Sequence, residues 1–257
     1  MITSSHNPKL KLVRALLGRP KARREAGAFV AEGVRLVEEA LAAGWPFRFV
    51  LAGETLSERG QALLARLQAQ GVDVERVADG LLNSLSDTDN TQGILAVLDL
   101  PVPDLPPATF DFVLIPDQIR DPGNLGTLLR TAAAAGVQAV FLPPETTDAF
   151  APKVVRAGMG AHFRLPILSL TWDEIRARTS GLHLLLADMD GLPCWETDLR
   201  APLALIVGGE AEGASAAAQA LASAKVSIPM PGGIESLNAG VAGAILMFEV
   251  VRQRRAG

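Results

Sequence analysis

Val226-Ser-Ile-Pro-Met230-Pro-Gly-Gly-Ile-Glu-Ser236-Leu-Asn238-Ala-Gly240-Val-Ala-Gly243-Ala-Ile245 is the stretch on which the fold turns. An apolar strand, Val226–Ile228, ends in a Pro-Met-Pro-Gly-Gly loop, and the loop feeds a helix predicted over Leu237–Arg252. Strand, loop and helix in that order build a parallel sheet, because parallel neighbours need a crossover between them. Glycine costs about 1 kcal/mol in a helix relative to alanine, so Gly240 and Gly243 mean that something packs very close. Tight helix packing is one sufficient reason. Ser236 and Asn238 read equally well as helix caps or as site residues.

The same pattern extends upstream. Phe112–Ile115, Ala139–Leu142, Leu182–Ala187 and Leu203–Val207 have the near-continuous hydrophobicity of strands buried on both faces. Helices separate them: Leu125, Leu128, Leu129 and Ala132 form one apolar helix face, and Thr171-Trp-Asp-Glu174 has the spacing of a capping box. A parallel α/β sheet with helices on both sides is the expectation. The prolines at 101, 103, 106 and 107 interrupt helix and strand alike and place a domain boundary there, dividing residues 1–104 from 105–257. Before it, strands at Ala28–Ala31, Phe47–Leu51, Val72–Val77 and Ile94–Leu98 alternate with helices at Val34–Ala43 and Leu56–Gln70. A first helix opens at Pro8 with Asn7 as its cap, and the whole reads as a small α/β sandwich.

The 257 residues are 49% hydrophobic and 20% charged, enough for a buried core and unlike a disordered chain. Neither a signal-peptide pattern nor an apolar run of about 18 residues is present, so a cytoplasmic protein without a membrane span is expected. Cys194 is the only cysteine, and His6, His162 and His183 lack ligand spacing, so no metal is expected. The net charge of −4 argues at first against a polyanionic partner. Its distribution reverses that. Residues 1–30 hold Lys9, Lys11, Arg14, Arg19, Lys21, Arg23 and Arg24 against the single acid Glu25, which leaves the rest of the chain at −10. Such asymmetry fits a localised nucleic-acid contact, and equally a solvated basic helix.

Two further segments carry chemistry. Asp121-Pro-Gly-Asn124-Leu-Gly-Thr-Leu-Leu-Arg130 follows a strand and opens a helix, so backbone amides and the positive helix end face outward. Asn124 reads as the cap, and Arg130 stands within a mostly apolar surround. The bland alternative is an ordinary cap and a surface arginine. Leu205-Ile-Val-Gly208-Gly209-Glu210-Ala-Glu-Gly213 places glycines at the carboxyl end of a buried strand, where open α/β sheets bind ligands. Glu210 serves a ligand there or the dipole of the next helix.

The three segments in this order, a GNxGxxxR-like, a GGExxG-like and an IPMxGxxxSLN-like motif, resemble the SpoU/TrmH branch of the SPOUT RNA methyltransferases across residues 110–255. The stretches Ser4–Lys11 and Phe29–Leu41 resemble the L30e-like substrate-binding domain found in many of these enzymes. The resemblance implies a Rossmann-like parallel sheet with a deep trefoil knot, S-adenosyl-L-methionine as cofactor, and methylation of a ribose 2′-hydroxyl in structured RNA. Ribosomal RNA is favoured over transfer RNA. It further implies cofactor contacts at Gly208, Gly209, Ile228, Met230 and Leu237, and catalytic positions at Arg130, Asn124, Glu210, Ser236 and Asn238. Relatives usually act as homodimers with the site completed across the interface. RNA contact is assigned to Lys9, Lys11, Arg23 and Arg24.

Two departures from the family pattern stand out: Ala-Gly follows Asn238 where many relatives carry larger residues, and Ala157-Gly158 replaces a more usual serine-containing pair. The competing readings are a transfer-RNA 2′-O-methyltransferase, a non-catalytic RNA-binding protein on the same scaffold, and a dinucleotide-binding oxidoreductase. The last lacks a G-x-G-x-x-G turn with an acidic residue about 20 positions later.

Overall fold

A computed structural model describes residues 1–85, 92–101, 110–209 and 213–255. Two compact units emerge, Met1–Val102 with Phe150–Arg156, and Pro103–Ala149 with Ala157–Gly257. The boundary expected between residues 104 and 105 lies outside the described residues.

In the first unit α1 (Pro8–Gly18) and α2 (Pro20–Ala26) precede β1 (Ala28–Glu32), α3 (Val34–Ala42), β2 (Phe47–Ala52), α4 (Glu58–Ala69), β3 (Val74–Arg76), α5 (Asp79–Asn83) and β4 (Ile94–Asp99). The strands form a mixed sheet in the order β1-β4-β2-β3, antiparallel except where β2 meets β3. Asn7 caps α1 as expected, its side chain accepting from the Lys9 amide at 2.8 Å. The short helices α2 and α5 carry too few residues for a periodic signal, and the sequence pattern does not reveal them. Leu10, Val13 and Leu16 of α1 pack on Val30, Leu51 and Val97 of the sheet.

The second unit runs β5 (Phe112–Asp117), α6 (Pro122–Ala135), β6 (Ala139–Leu142), α7 (Pro152–Gly158), β7 (Ile167–Ser169), α8 (Trp172–Arg178), β8 (His183–Pro193), β9 (Leu203–Gly208), α9 (Ala216–Leu221), β10 (Ala224–Ser227) and α10 (Ala239–Arg255). Of α7, the residues up to Arg156 group with the first unit. The sheet is parallel throughout, in the order β10-β8-β9-β5-β6-β7. The expected α/β architecture with a buried parallel sheet is present; β7, three residues long, is an addition to it. Thr171 and Glu174 form the expected capping box.

Three helix starts differ from expectation; α4 begins at Glu58 rather than Leu56, because the Ser57 side chain caps it by accepting from the Gly60 amide. In α6 the cap is Asp121, whose carboxylate accepts from the Asn124 amide at 2.8 Å. Pro122 takes the first helical position, which puts Asn124 two residues inside the helix rather than at its cap. In α10 the helix begins at Ala239, two residues later than predicted, because Asn238 Oδ1 accepts from the Val241 amide at 3.2 Å. Gly240 and Gly243 are explained by packing of α10 on α6. A methyl group at Gly240 would lie 3.2 Å from Thr127, and one at Gly243 would overlap Leu128.

Gly158 has a similar reason. A methyl there would lie 2.7 Å from the ring of His162, which is buried and hydrogen-bonded through Nε2 to the Ala149 carbonyl at 2.7 Å.

Candidate functional site

The carboxyl ends of three neighbouring strands open onto one cavity. β9 is buried from Leu203 to Val207 and emerges at Gly208-Gly209. The chain then turns back on itself, with a bridge between Gly209 and Gly213. No side chain fits at either glycine: a Cβ on Gly208 would lie 2.7 Å from the Ala214 nitrogen, and one on Gly209 would lie 2.6 Å from the Gln118 carbonyl oxygen. Backbone thus forms this wall directly, as a ligand needing amide and carbonyl contacts requires.

β10 supplies the second wall. It pairs with β8 at Leu185–Leu186 and again at Leu192–Pro193, so five residues of β8, 187 to 191, bulge out between the two registers. Gly191 closes the bulge against the backbone of Lys225 and Val226, where a Cβ would lie 2.5 Å from the Val226 nitrogen. Ser227 locks it by donating its hydroxyl to the Gly191 carbonyl at 2.8 Å. The third wall is the segment from Ser236 into α10.

The cavity measures about 460 Å³ and is lined by Ala187, Asp188, Met189, Val207, Gly208, Gly209, Gly213, Ala214, Val226, Ser227, Ile228, Met230, Ser236, Leu237, Asn238, Ala239, Ala242 and Leu246. Its size lies within the roughly 300–1,000 Å³ common for small-molecule sites, and its lining is mainly apolar with a few polar groups. The structure therefore brings Gly208, Gly209, Ile228, Met230, Ser236, Leu237 and Asn238 together, although thirty residues separate the first from the last. Asn124 joins them indirectly, because Asn238 donates its Nδ2 to Asn124 Oδ1 at 2.8 Å. Glu210 lies outside the described residues.

Asp188 is the polar lining residue that the sequence reading missed. Its Oδ2 is 2.7 Å from Lys225 Nζ and its Oδ1 accepts from the Asp190 amide at 3.0 Å. The lysine bond, followed by the amide, holds the carboxyl below the usual carboxylate range, so a lysine-paired carboxylate stands among the residues lining the cavity. The available signal was its place immediately after the apolar run Leu184–Ala187, at the carboxyl end of the strand expected over Leu182–Ala187.

Arg130 stands apart. It is exposed on α6 and is not among the cavity-lining residues of its own chain. The apolar surround inferred from sequence belongs to its helix neighbours Leu128 and Leu129, which face inward while Arg130 faces out.

The four basic residues assigned to RNA contact meet different fates. Lys11 and Arg24 are exposed. Lys9 is half-buried over the Phe49 ring, paired with Asp73 at 2.5 Å and with Glu75. Arg23 is only 3% exposed and gives Nη1 to the Leu16 carbonyl at the end of α1. Its assignment as a surface cation is corrected accordingly: it holds α2 against α1. Among the described residues no group of three or more His, Cys, Asp or Glu is placed to hold a metal, and no helix is long and apolar enough to cross a membrane.

Residues 111–248 match the model of the SpoU rRNA Methylase family. The chain belongs to this family. Residues 7–96 match the MRM3-like substrate binding domain. Among SpoU relatives, the 23S rRNA (guanosine(2553)-2′-O)-methyltransferase RlmP of Bacillus subtilis is 33% identical, covering 97% of this chain and 98% of its own length. The AdoMet-bound rRNA methyltransferase of Sinorhizobium meliloti superposes with a TM-score of 0.85 at 31% identity, covering 98% of this chain and 97% of that one. The SpoU methyltransferase AviRb of Streptomyces viridochromogenes, in complex with AdoMet, gives 0.83 at 31% identity over 98% and 100%. The cofactor of this SpoU methyltransferase is S-adenosyl-L-methionine, and the cavity suits it: backbone cradles at Gly208 and Ile228, apolar walls at Val207, Leu237 and Leu246, and the Asp188 carboxylate for a donor-bearing or cationic group.

Proposed function

We propose that this chain methylates a ribose 2′-hydroxyl of ribosomal RNA, with the second unit holding the cofactor and the first holding RNA. One observation carries the reading: segments around 208, 228 and 237 converge on one cavity, and the Asn124–Asn238 bond ties the first motif to the last. The cofactor supplies the methyl group and its own leaving group, so the chain's work is binding, orientation and handling of one proton. Gly208, Gly209, Ile228, Met230 and Leu237 bind the cofactor. Asn124, Ser236 and Asn238 orient the ribose, and Glu210 acts with them. A trefoil knot in the part of the chain that carries Gly208, Ile228 and Leu237 belongs to this proposal.

Arg130 grips the phosphate beside the target ribose and stabilises the developing alkoxide. An arginine normally stays protonated at neutral pH, which suits it to charge stabilisation better than to proton abstraction. Its exposure outside its own cavity fits a site completed by a second copy. Val241, Ile245 and Phe248 leave an apolar stripe on α10, exposed at 45%, 39% and 48%, with the spacing of one helix face. Pairing of α10 with its copy in a two-fold dimer covers that stripe, and α6, packed on α10, brings Arg130 to the shared site.

On the first unit, Lys11 and Arg24 form the accessible cationic face for RNA, joined by Arg14, Arg19 and Lys21. Lys9 contributes by fixing the start of α1 to the sheet. The cytoplasm, where ribosomal RNA is exposed to solution enzymes, is the proposed compartment. The test is transfer of tritiated methyl groups to undermethylated ribosomal and transfer RNA, with mapping of the modified ribose. Label in a ribosomal-RNA ribose is the expected result, and label confined to transfer RNA overturns the substrate assignment. Binding of RNA without any transfer would instead favour a non-catalytic role.

A further inference from the structure

Asp117 is wholly buried, yet none of the roles above uses it. It is the last residue of β5 and lies in register with Gly208 of β9. Its Oδ2 accepts from the Ser215 amide at 2.6 Å, while its Oδ1 has no hydrogen-bond partner among the described residues. A carboxyl in such surroundings is unfavourable unless its bonds do something, and burial here pushes its pKa up.

Gly208 and Ser215 are the two ends of the loop whose residues Gly208, Gly209, Gly213 and Ala214 form the backbone wall of the cavity. Asp117 therefore touches both ends, one through strand pairing and one through its side chain. The next residue reinforces this. Gln118 has φ 53, a left-handed conformation unusual for a non-glycine residue, and a Cβ on Gly209 would lie 2.6 Å from its carbonyl oxygen. Gln118 Nε2 donates to Glu145 Oε2 at 3.2 Å, and Glu145 is itself left-handed at φ 69. Two strained residues held to each other set the end of β5 against the cofactor loop.

We propose that Asp117 is a positioning residue for cofactor binding: its carboxyl clamps the Ser215 amide and thereby sets the wall formed by Gly208, Gly209, Gly213 and Ala214. The proposal rests on the cofactor reading of the cavity. It requires an acceptor at residue 117 and an N–H at residue 215, and both ends can be altered separately. Ser215 has φ −61, which proline also adopts, and the proline ring carbon would stand where the amide hydrogen now meets Asp117. S215P removes the amide hydrogen, whereas S215A keeps it, and both lose the same hydroxyl cap to the Ala218 amide.

The experiment titrates S-adenosylhomocysteine calorimetrically into the wild-type chain, D117A, D117N, S215A and S215P, with KM for the cofactor, kcat and thermal unfolding measured alongside. D117A and S215P are expected to weaken binding about tenfold or more and to raise KM. At saturating cofactor kcat stays within about threefold, because the clamp acts on binding. D117N keeps an acceptor and S215A keeps the donor, so both bind within about threefold of wild type. If D117A does not fold, the contrast of S215P with S215A decides. Equal binding by S215P and S215A, or D117N as weak as D117A, overturns the clamp. A wild-type chain that fails to bind S-adenosylhomocysteine refutes the cofactor reading itself, and the clamp with it.

Discussion

The two units treat their functional residues in opposite ways. In the second, residues far apart in the chain are gathered: Asn124 and Asn238 are 114 positions apart and share a 2.8 Å hydrogen bond. In the first, basic residues close in sequence are dispersed: Lys9 is paired, Lys11 and Arg24 are exposed, and Arg23 is buried. The difference follows from what each element demands. A parallel sheet delivers every strand's carboxyl end to one side, so polar residues placed just after strands must meet. A helix distributes successive residues around its axis, so a run of cations is split between buried and exposed positions, as Arg23 and Arg24 are. Clustering in sequence is thus a poor guide to clustering in space on helices, and position relative to a strand end is a good one.

That contrast is open to attack at several points. The largest effect is expected at Arg130. R130A should lower methyl transfer by roughly 10²–10³-fold while leaving cofactor affinity unchanged, as removal of a transition-state interaction does. A mutant with full turnover would remove Arg130 from the gathered set. Next is Gly208. G208A directs a methyl group at the Ala214 nitrogen 2.7 Å away, a backbone atom that cannot yield without moving the loop. Cofactor affinity should fall about tenfold or more, with the fold retained; calorimetry reads this directly.

The acid limb of stability provides a third test. Burial, the dominant cause, pulls the pKa of His162 down to about 4. The unfolded chain protonates this residue below its ordinary value of 6.5 while the folded chain does not. Stability is therefore full above that value and is lost as pH falls toward 4, by about 3 kcal/mol on an order-of-magnitude reckoning. Denaturant titrations at pH 7 and pH 4.5 should show the loss in the wild type and less of it in H162Q. An unchanged slope in H162Q would transfer the acid sensitivity to other groups.

The smallest effect concerns RNA. K11E and R24E together should weaken RNA binding several-fold and lower the salt slope by about one unit for each phosphate no longer neutralised. R23M should leave RNA affinity alone and cost about 1 kcal/mol of stability, because the Leu16 carbonyl loses its guanidinium donor. Filter binding over a salt series, with thermal unfolding in parallel, separates the two. If R23M weakened RNA binding as much as the double reversal, the dispersal of the basic residues would have no functional meaning.

Much of the site was legible before any coordinates, and the reason is local. Gly208-Gly209 after an apolar run, and Pro229-Met230-Pro231 after another, mark strand ends without knowledge of the partners. Asp188 was passed over because no glycine or proline adjoins it, and only the bulge of β8 against β10 places it among the cavity-lining residues. Asp117 was invisible for a related reason: an aspartate at the end of a strand reads as a solvated turn residue until the neighbouring loop is seen to cover it.

The sequence by itself determined the alternation of strands and helices, the order of the three motif segments and the +6 charge of the first 30 residues, because these depend on periodicity and composition along the chain. Tertiary structure alone decided that Asp121 rather than Asn124 caps α6, that Arg23 is buried, and that Arg130 is exposed and outside the lining of its own cavity. Each of those outcomes is set by competition for a limited volume among residues distant in sequence, and a one-dimensional pattern carries no record of that competition.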